Sequence, residues 1–118
     1  MGALVDGFEV ARQRRNEEIA EKQRKDGLID HELHELAHVF DQDASFLKDN
    51  GVAYDVANRV MRVTLRRAPM VSVHYGADSQ EYVLTVMQDG SHTTLKTTEE
   101  CAKAIGEILF KALAPKGA

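Results

Sequence analysis

The chain is poor in the residues and runs that define several protein classes. Among its 118 residues there is one cysteine, Cys101, which excludes a scaffold held by internal disulfides and agrees with a reducing compartment. No apolar run approaches the roughly 20 residues of a membrane-spanning helix, and the first residues lack the basic start and apolar stretch of a secretory signal. The sequence therefore predicts a cytoplasmic protein without a membrane span. The helical neighbours of Cys101 predict a buried thiol.

The residues that are present suit one soluble globular domain. Hydrophobic residues make up 43% of the chain and charged residues 29%, which is ordinary for such a domain. The net charge of −4 hides a segregation, because residues 31–58 carry one basic and six acidic side chains while residues 59–76 carry four basic and no acidic ones. This polarity suits contact between subunits or between elements, and the overall balance disfavours nonspecific nucleic-acid binding.

Residues 3 to about 25 have the pattern of a charged helix with few apolar anchors. The nearest approach to an apolar stripe is the set Leu4, Phe8, Ala11, Arg15 and Ile19, which Arg15 interrupts. A core formed by the same chain would not hold so polar a helix along its whole length. We therefore expect its second half either to project into solvent or to pack on a partner.

A second helix is predicted after a short connection. Gly27 suits the end of the first helix and Asp30 suits the N-cap of the next, which should run from His31 to about Lys48. The connection would cover residues 26–29, and the two helices would form a hairpin.

Three stretches alternate between apolar and polar residues with the period of half-buried strands, over residues 61–66, 71–75 and 82–87. Short turns are predicted at residues 67–69, 76–79 and 89–90, and residues 92–96 suggest a fourth strand. Residues 52–58 fit a loop, a strand or a helical turn. Thr97 and Glu100 then form a predicted capping box before a last helix, followed by a frayed tail that contains Pro115 and Gly117.

The predicted fold class is therefore α+β, with two N-terminal helices, a three- or four-stranded antiparallel meander and a C-terminal helix. The helices should cover one sheet face. The whole chain, 1–118, is predicted to be a single domain, in which residues 1–27 form the charged helix and residues 28–114 the globular core.

One pentapeptide carries a pattern associated with catalysis. The run His34-Glu35-Leu36-Ala37-His38 fits H-E-x-x-H and resembles the active-site helix of zinc metallopeptidases. The resemblance implies His34 and His38 as zinc ligands and Glu35 as the general base. In the longer form of that motif, the glycine and last histidine positions are Asp41 and Ala44 here, so no third ligand is identified. The alternative is that these residues form the solvated flank of an amphipathic helix.

The order from residue 31 onward, one helix, three antiparallel strands and one helix, is similar to that of double-stranded-RNA-binding domains. That family grips phosphates with lysines at the start of its last helix, where this chain has Thr97, Thr98, Glu99 and Glu100. Carboxylates there would repel the RNA backbone, so RNA binding is the least favoured hypothesis.

The favoured hypothesis is a small non-enzymatic interaction or regulatory module without a cofactor, which acts as a homodimer or with a protein partner. Its candidate contact residues are Arg12 and Arg15 on the first helix, and Arg62, Arg66 and His74 on the open sheet face. The alternative hypothesis is a zinc-dependent, peptidase-like hydrolase built on His34, Glu35 and His38. No other catalytic or cofactor-binding pattern is found in the sequence.

Overall fold

The structure, a computed structural model, describes residues 2–113. Within these residues, three helices and five strands follow one another: α1 (Ala3–Gln42), α2 (Ala44–Asp49), β1 (Val52–Ala57), β2 (Val60–Leu65), β3 (Ala68–Gly76), β4 (Glu81–Val86), β5 (His92–Leu95) and α3 (Thr98–Leu113). This order confirms the α+β class, with an antiparallel sheet before a C-terminal helix. The predicted tail with Pro115 and Gly117 lies outside the described residues. Within residues 2–113, no helix has the length and apolarity to span a membrane.

The five strands form one antiparallel sheet in the order β1-β2-β3-β4-β5. Residues 52–57, which the sequence left undecided, are its first strand. Two of the connections are two-residue turns with left-handed backbone, at Asn58–Arg59 and Arg66–Arg67. Positive φ at both turn residues matches the twist of the flanking strands.

The structure corrects the position of the turn predicted at residues 67–69. The turn is Arg66–Arg67, and Ala68 and Pro69 already belong to β3. The prediction was wrong because arginine is not a typical residue for left-handed backbone, whereas proline is a common turn former. Arg66 therefore lies in a turn with φ 51° and not on the strand face where it was predicted.

Both long helices cover the same face of the sheet. The end of α1 contacts β1, β2 and β3, while α3 contacts β4 and β5. The inward side chains form one buried core: Leu33, Leu36, Phe40, Leu47, Val52, Met61, Val63, Val71, Val73, Tyr82, Leu84, Cys101, Ile105 and Leu109. The predicted burial of Cys101 is confirmed, and Phe40 and Ile105 are buried beside it in the same core. Burial also raises the pKa of the Cys101 thiol to about 12, because the thiolate would be desolvated there.

The predicted helical hairpin is wrong, since α1 runs without interruption through Gly27 to Gln42. A glycine inside a helix costs only about 1 kcal/mol relative to alanine, and packing or pairing of its neighbours can outweigh that cost. Two such pairings flank the glycine: Lys25 Nζ lies 3.0 Å from Asp78 Oδ1, and Arg59 Nη2 lies 3.3 Å from Asp26 Oδ2. The helix breaks instead at Asp43, after which α2 begins.

The junction of α1, β4 and α3 is held by the hydroxyl of Tyr82. It donates a hydrogen bond to Glu32 Oε2 at 2.9 Å and lies 2.8 Å from Thr98 Oγ1. Burial raises the pKa of Tyr82 above its ordinary value, so the hydroxyl keeps its proton over the physiological range.

One of the two hydrogen bonds of the predicted capping box is present at the start of α3. The amide of Glu100 donates to Thr97 Oγ1 at 3.1 Å, as predicted. The carboxylate of Glu100 accepts from the amide of Lys96 at 3.2 Å, one residue earlier than the prediction.

Replacing Gly27 by alanine tests whether α1 is continuous in solution. A Cβ at Gly27 meets nothing within 4 Å, so Gly27→Ala should raise the free energy of unfolding by about 0.5–1 kcal/mol. The matched control is Gly51→Ala, where φ is +71° and the new Cβ would lie 3.2 Å from Arg66 Cγ. It should lower stability by about 1–2 kcal/mol in the same urea titration. A loss at Gly27 similar to that at Gly51 would support the helical hairpin instead.

Two apolar residues five positions apart on α3 test the helix phase. Ile105 is buried, and Ile105→Ala should cost about 2–5 kcal/mol because it empties a core site. Phe110 is 73% exposed, and Phe110→Ala should cost less than about 0.5 kcal/mol. Urea unfolding followed by circular dichroism gives both values. Equal losses at the two positions would contradict the packing of α3 described above.

Candidate functional site

The histidine motif lies on the outer side of α1. Leu33, Leu36 and Phe40 point into the core and fix the rotation of the helix, which leaves His34, Glu35 and His38 exposed. The two imidazoles are one helical turn apart on the same surface, the spacing that lets two histidines share a metal.

The hydrogen bonding of this surface is local. His34 Nδ1 lies 2.6 Å from the carbonyl oxygen of Asp30, which leaves Nε2 facing outward, and His31 Nε2 lies 4.0 Å from Glu35 Oε1. A backbone tie on Nδ1 is how many zinc-binding histidines are oriented. Among residues 2–113, however, no three histidine, cysteine or acidic side chains converge as a metal site would require. The motif thus provides two ligands and a base, and the zinc hypothesis stays a prediction.

A second candidate site is the N-terminal arm, defined as residues 3–24 of α1. Every residue of the arm is exposed, and the molecule is 79 Å long but only 27 and 24 Å across. The arm exposes Leu4 (88%), Phe8 (66%) and Ile19. Its ion pairs are internal among the described residues, Arg12 with Glu9 at 2.6 Å and Arg24 with Glu21 at 2.7 Å. Arg12 and Arg15, two predicted contact residues, both lie on it.

The arm leaves the body of the molecule beside two ion pairs. Lys25 pairs with Asp78 in the β3–β4 turn, and Asp26 pairs with Arg59 in the β1–β2 turn. Two turns of the sheet therefore hold successive residues of the helix. Partial burial of Lys25 and Asp26 reduces solvent screening of these pairs relative to fully exposed ones. The direction of the arm is fixed by these contacts together with the packing of Ile29 and Leu33.

An open notch of about 760 Å³ lies between the arm and the β3–β4 turn. Its walls are Arg14, Glu17, Glu18, Glu21, Lys22, Lys25, Asp26, Ile29, Tyr75, Gly76, Ala77 and Asp78. The floor is apolar, from Ile29 and Tyr75, and the arm side is charged with both signs. A surface of this kind suits an amphipathic segment of a protein better than a small molecule, because it is wide open and has few enclosed apolar walls.

The sheet face that no helix covers is the third candidate. Strand pairing aligns Asp55, Arg62, Ser72, Thr85 and His92 in one row across all five strands. Thr85 Oγ1 and His92 Nδ1 are 2.9 Å apart at the end of the row.

The structure divides the predicted contact residues between separate surfaces. His74 is exposed on the open sheet face. It lies two residues along β3 from Ser72, which pairs with Arg62, so His74 and Arg62 share one surface. Arg66 is displaced into a turn, and Arg12 and Arg15 belong to the arm. Tyr75 and Asp78 of the notch were missed, because only the folded sheet brings the β3–β4 turn beside α1.

No protein-family model matches the chain, and comparisons with curated proteins and with solved structures return no match either.

The zinc hypothesis has a direct measurement. We expect protein purified without added metal to contain far less than one zinc per chain by plasma mass spectrometry. Changing both His34 and His38 to alanine should alter the free energy of unfolding by less than about 0.5 kcal/mol, because both side chains are exposed. Zinc near one per chain that is lost in this double variant would contradict the expectation. A hydrolytic activity abolished by Glu35→Gln would then establish the enzyme.

Proposed function

We propose that this chain is a non-enzymatic protein-interaction module whose binding element is the N-terminal arm. The observation that carries the proposal is a regular helix of 22 residues that is exposed on all sides and yet presents Leu4 and Phe8 to solvent. The arm has only its own hydrogen bonds and side-chain pairs to hold it, whereas packing supplies most helical stability in proteins. An unpacked helix with large apolar side chains therefore gains free energy from a protein surface that covers it.

The attachment of the arm supports the same proposal. A segment without a role in binding would gain nothing from a fixed direction, whereas Lys25 and Asp26 tie the base of the arm to two turns of the sheet. Holding a binding helix in place before it meets its partner lowers the entropy lost on association. The body, with its separate core, serves as the platform for the arm.

The open sheet face is the secondary contact surface of this proposal. It carries Arg62 and His74 among polar residues of intermediate exposure, and it is not covered by either long helix. Its residues lack the large exposed apolar side chains of the arm, so we assign it the weaker share of the binding energy.

Photo-cross-linking in living cells tests the role of the arm. We expect p-benzoylphenylalanine in place of Phe8 to form a covalent adduct with a protein upon illumination, because Phe8 lies on the contacting side of the arm. The matched control is the same substitution at Val10, which is also exposed but lies about 160° around the helix. Adducts are separated by denaturing electrophoresis and identified by mass spectrometry. The proposal would be contradicted if the variant at Phe8 formed no more adduct than the variant at Val10.

A further inference from the structure

The charges of the arm are arranged in blocks of one sign. Beginning at its N-terminus there are four blocks: acidic block 1 (Asp6, Glu9), basic block 2 (Arg12, Arg14, Arg15), acidic block 3 (Glu17, Glu18, Glu21) and basic block 4 (Lys22, Arg24, Lys25). Every charged residue from 6 to 25 falls in one of them. Neighbouring blocks pair within the helix, as Arg12 does with Glu9 and Arg24 with Glu21.

The alternation makes the arm complementary to a reversed copy of itself. If two arms lie antiparallel, block 1 of one can face block 4 of the other, and block 2 can face block 3. The midpoint between blocks 1 and 4 falls between residues 15 and 16, and the midpoint between blocks 2 and 3 falls at about residue 16. Both pairings therefore share one two-fold axis, near Asn16. A parallel pair would instead place each block against its own copy, and like charges would repel.

We infer that the partner of the arm is the arm of a second copy of this chain, in an antiparallel pair with its two-fold axis at Asn16. The inference rests on the proposed function and identifies the partner that the proposal leaves open. Such a contact is isologous, so it closes as a dimer and leaves no free copy of the same surface.

The same axis places the apolar tip of the arm against the notch. With residue 16 on the axis, Leu4 of one chain lies opposite Leu28 of the other, beside the notch floor formed by Ile29 and Tyr75. Residues 4 and 28 are about 36 Å apart along a straight helix, so each arm reaches the body of its partner. Leu4, which is 88% exposed in the single chain, thereby gains an apolar site.

Charges of both signs line the notch. Lys22 and Lys25 lie there beside Glu17, Glu18 and Glu21, and Asp6 and Glu9 are the acidic side chains nearest to Leu4. The block pairing sets this register, and the register in turn brings the apolar tip of the arm to the notch.

Charge reversal tests the pairing by sedimentation equilibrium of the full chain. The wild type should form dimers that dissociate more readily as salt is added, because salt screens the charge pairs between the chains. One triple variant changes Arg12, Arg14 and Arg15 to Glu, and a second changes Glu17, Glu18 and Glu21 to Lys. Each variant alone should dissociate about 100-fold more readily, because block 2 of each chain then faces block 3 of the other with the same sign. Unfolding of the body should be unaffected, since all six residues are exposed.

Two recoveries separate this pairing from its alternatives. An equimolar mixture of the two triple variants should regain wild-type affinity. The charge pairs within each helix stay broken in this mixture, so the recovery reports contact between chains. The variant with all six changes should dimerise by itself, because its blocks are again complementary in the antiparallel direction. Recovery of the mixture without recovery of the sixfold variant would indicate a parallel pair and overturn the inference.

Two further outcomes would overturn it without affecting the proposed function. One is a wild-type chain that stays monomeric at the highest concentration reached. The other is dimerisation that neither triple variant weakens. In either case, cross-links from Phe8 to a different protein would keep the arm as a binding element, whereas absence of cross-links would remove both proposals.

Discussion

The packing of one helical stripe on one sheet face sets the arrangement of the whole molecule. Leu33, Leu36 and Phe40 are buried against the sheet, and their position fixes the rotation of all forty residues of α1. A continuous helix transmits that rotation rigidly. The same contact therefore turns His34 and His38 outward, aims the arm beyond the sheet and decides which side of the arm borders the notch.

The two candidate functions depend on the two halves of this single helix. The half that packs on the sheet presents a pair of histidines and a glutamate, but the core occupies its other side, and no third ligand approaches within residues 2–113. The projecting half, residues 3–24, is exposed at every residue. It carries apolar side chains, and its charged side chains form blocks of alternating sign. In the proposed association, burial of apolar side chains and pairing of charge blocks would both act on this half, and neither needs a cofactor.

Several features could be predicted from local patterns alone. The period-two alternation identified β2, β3 and β4, and the helical neighbours of Cys101 identified its thiol as buried, because these patterns result from one face meeting a core. The stripe of Leu4, Phe8 and Ile19 was visible in the spacing of the residues, although it meets no core in the single chain. Gly27 and Asp30 misled the prediction, since a possible helix end becomes a real one only when tertiary packing does not favour continuation.

The sequence by itself determined the composition of each surface: the blocks of charge on the arm, the histidine spacing on α1 and the alternation in the strands. Only the tertiary structure decided how these surfaces meet. Asp78 and Arg59 lie far from residues 25 and 26 in sequence, and the sheet turns bring them to the base of the arm as ion partners. Local propensities act over a few residues, whereas the choice between a hairpin and one long helix depends on contacts between residues more than 30 positions apart. That choice was therefore made by the folded chain.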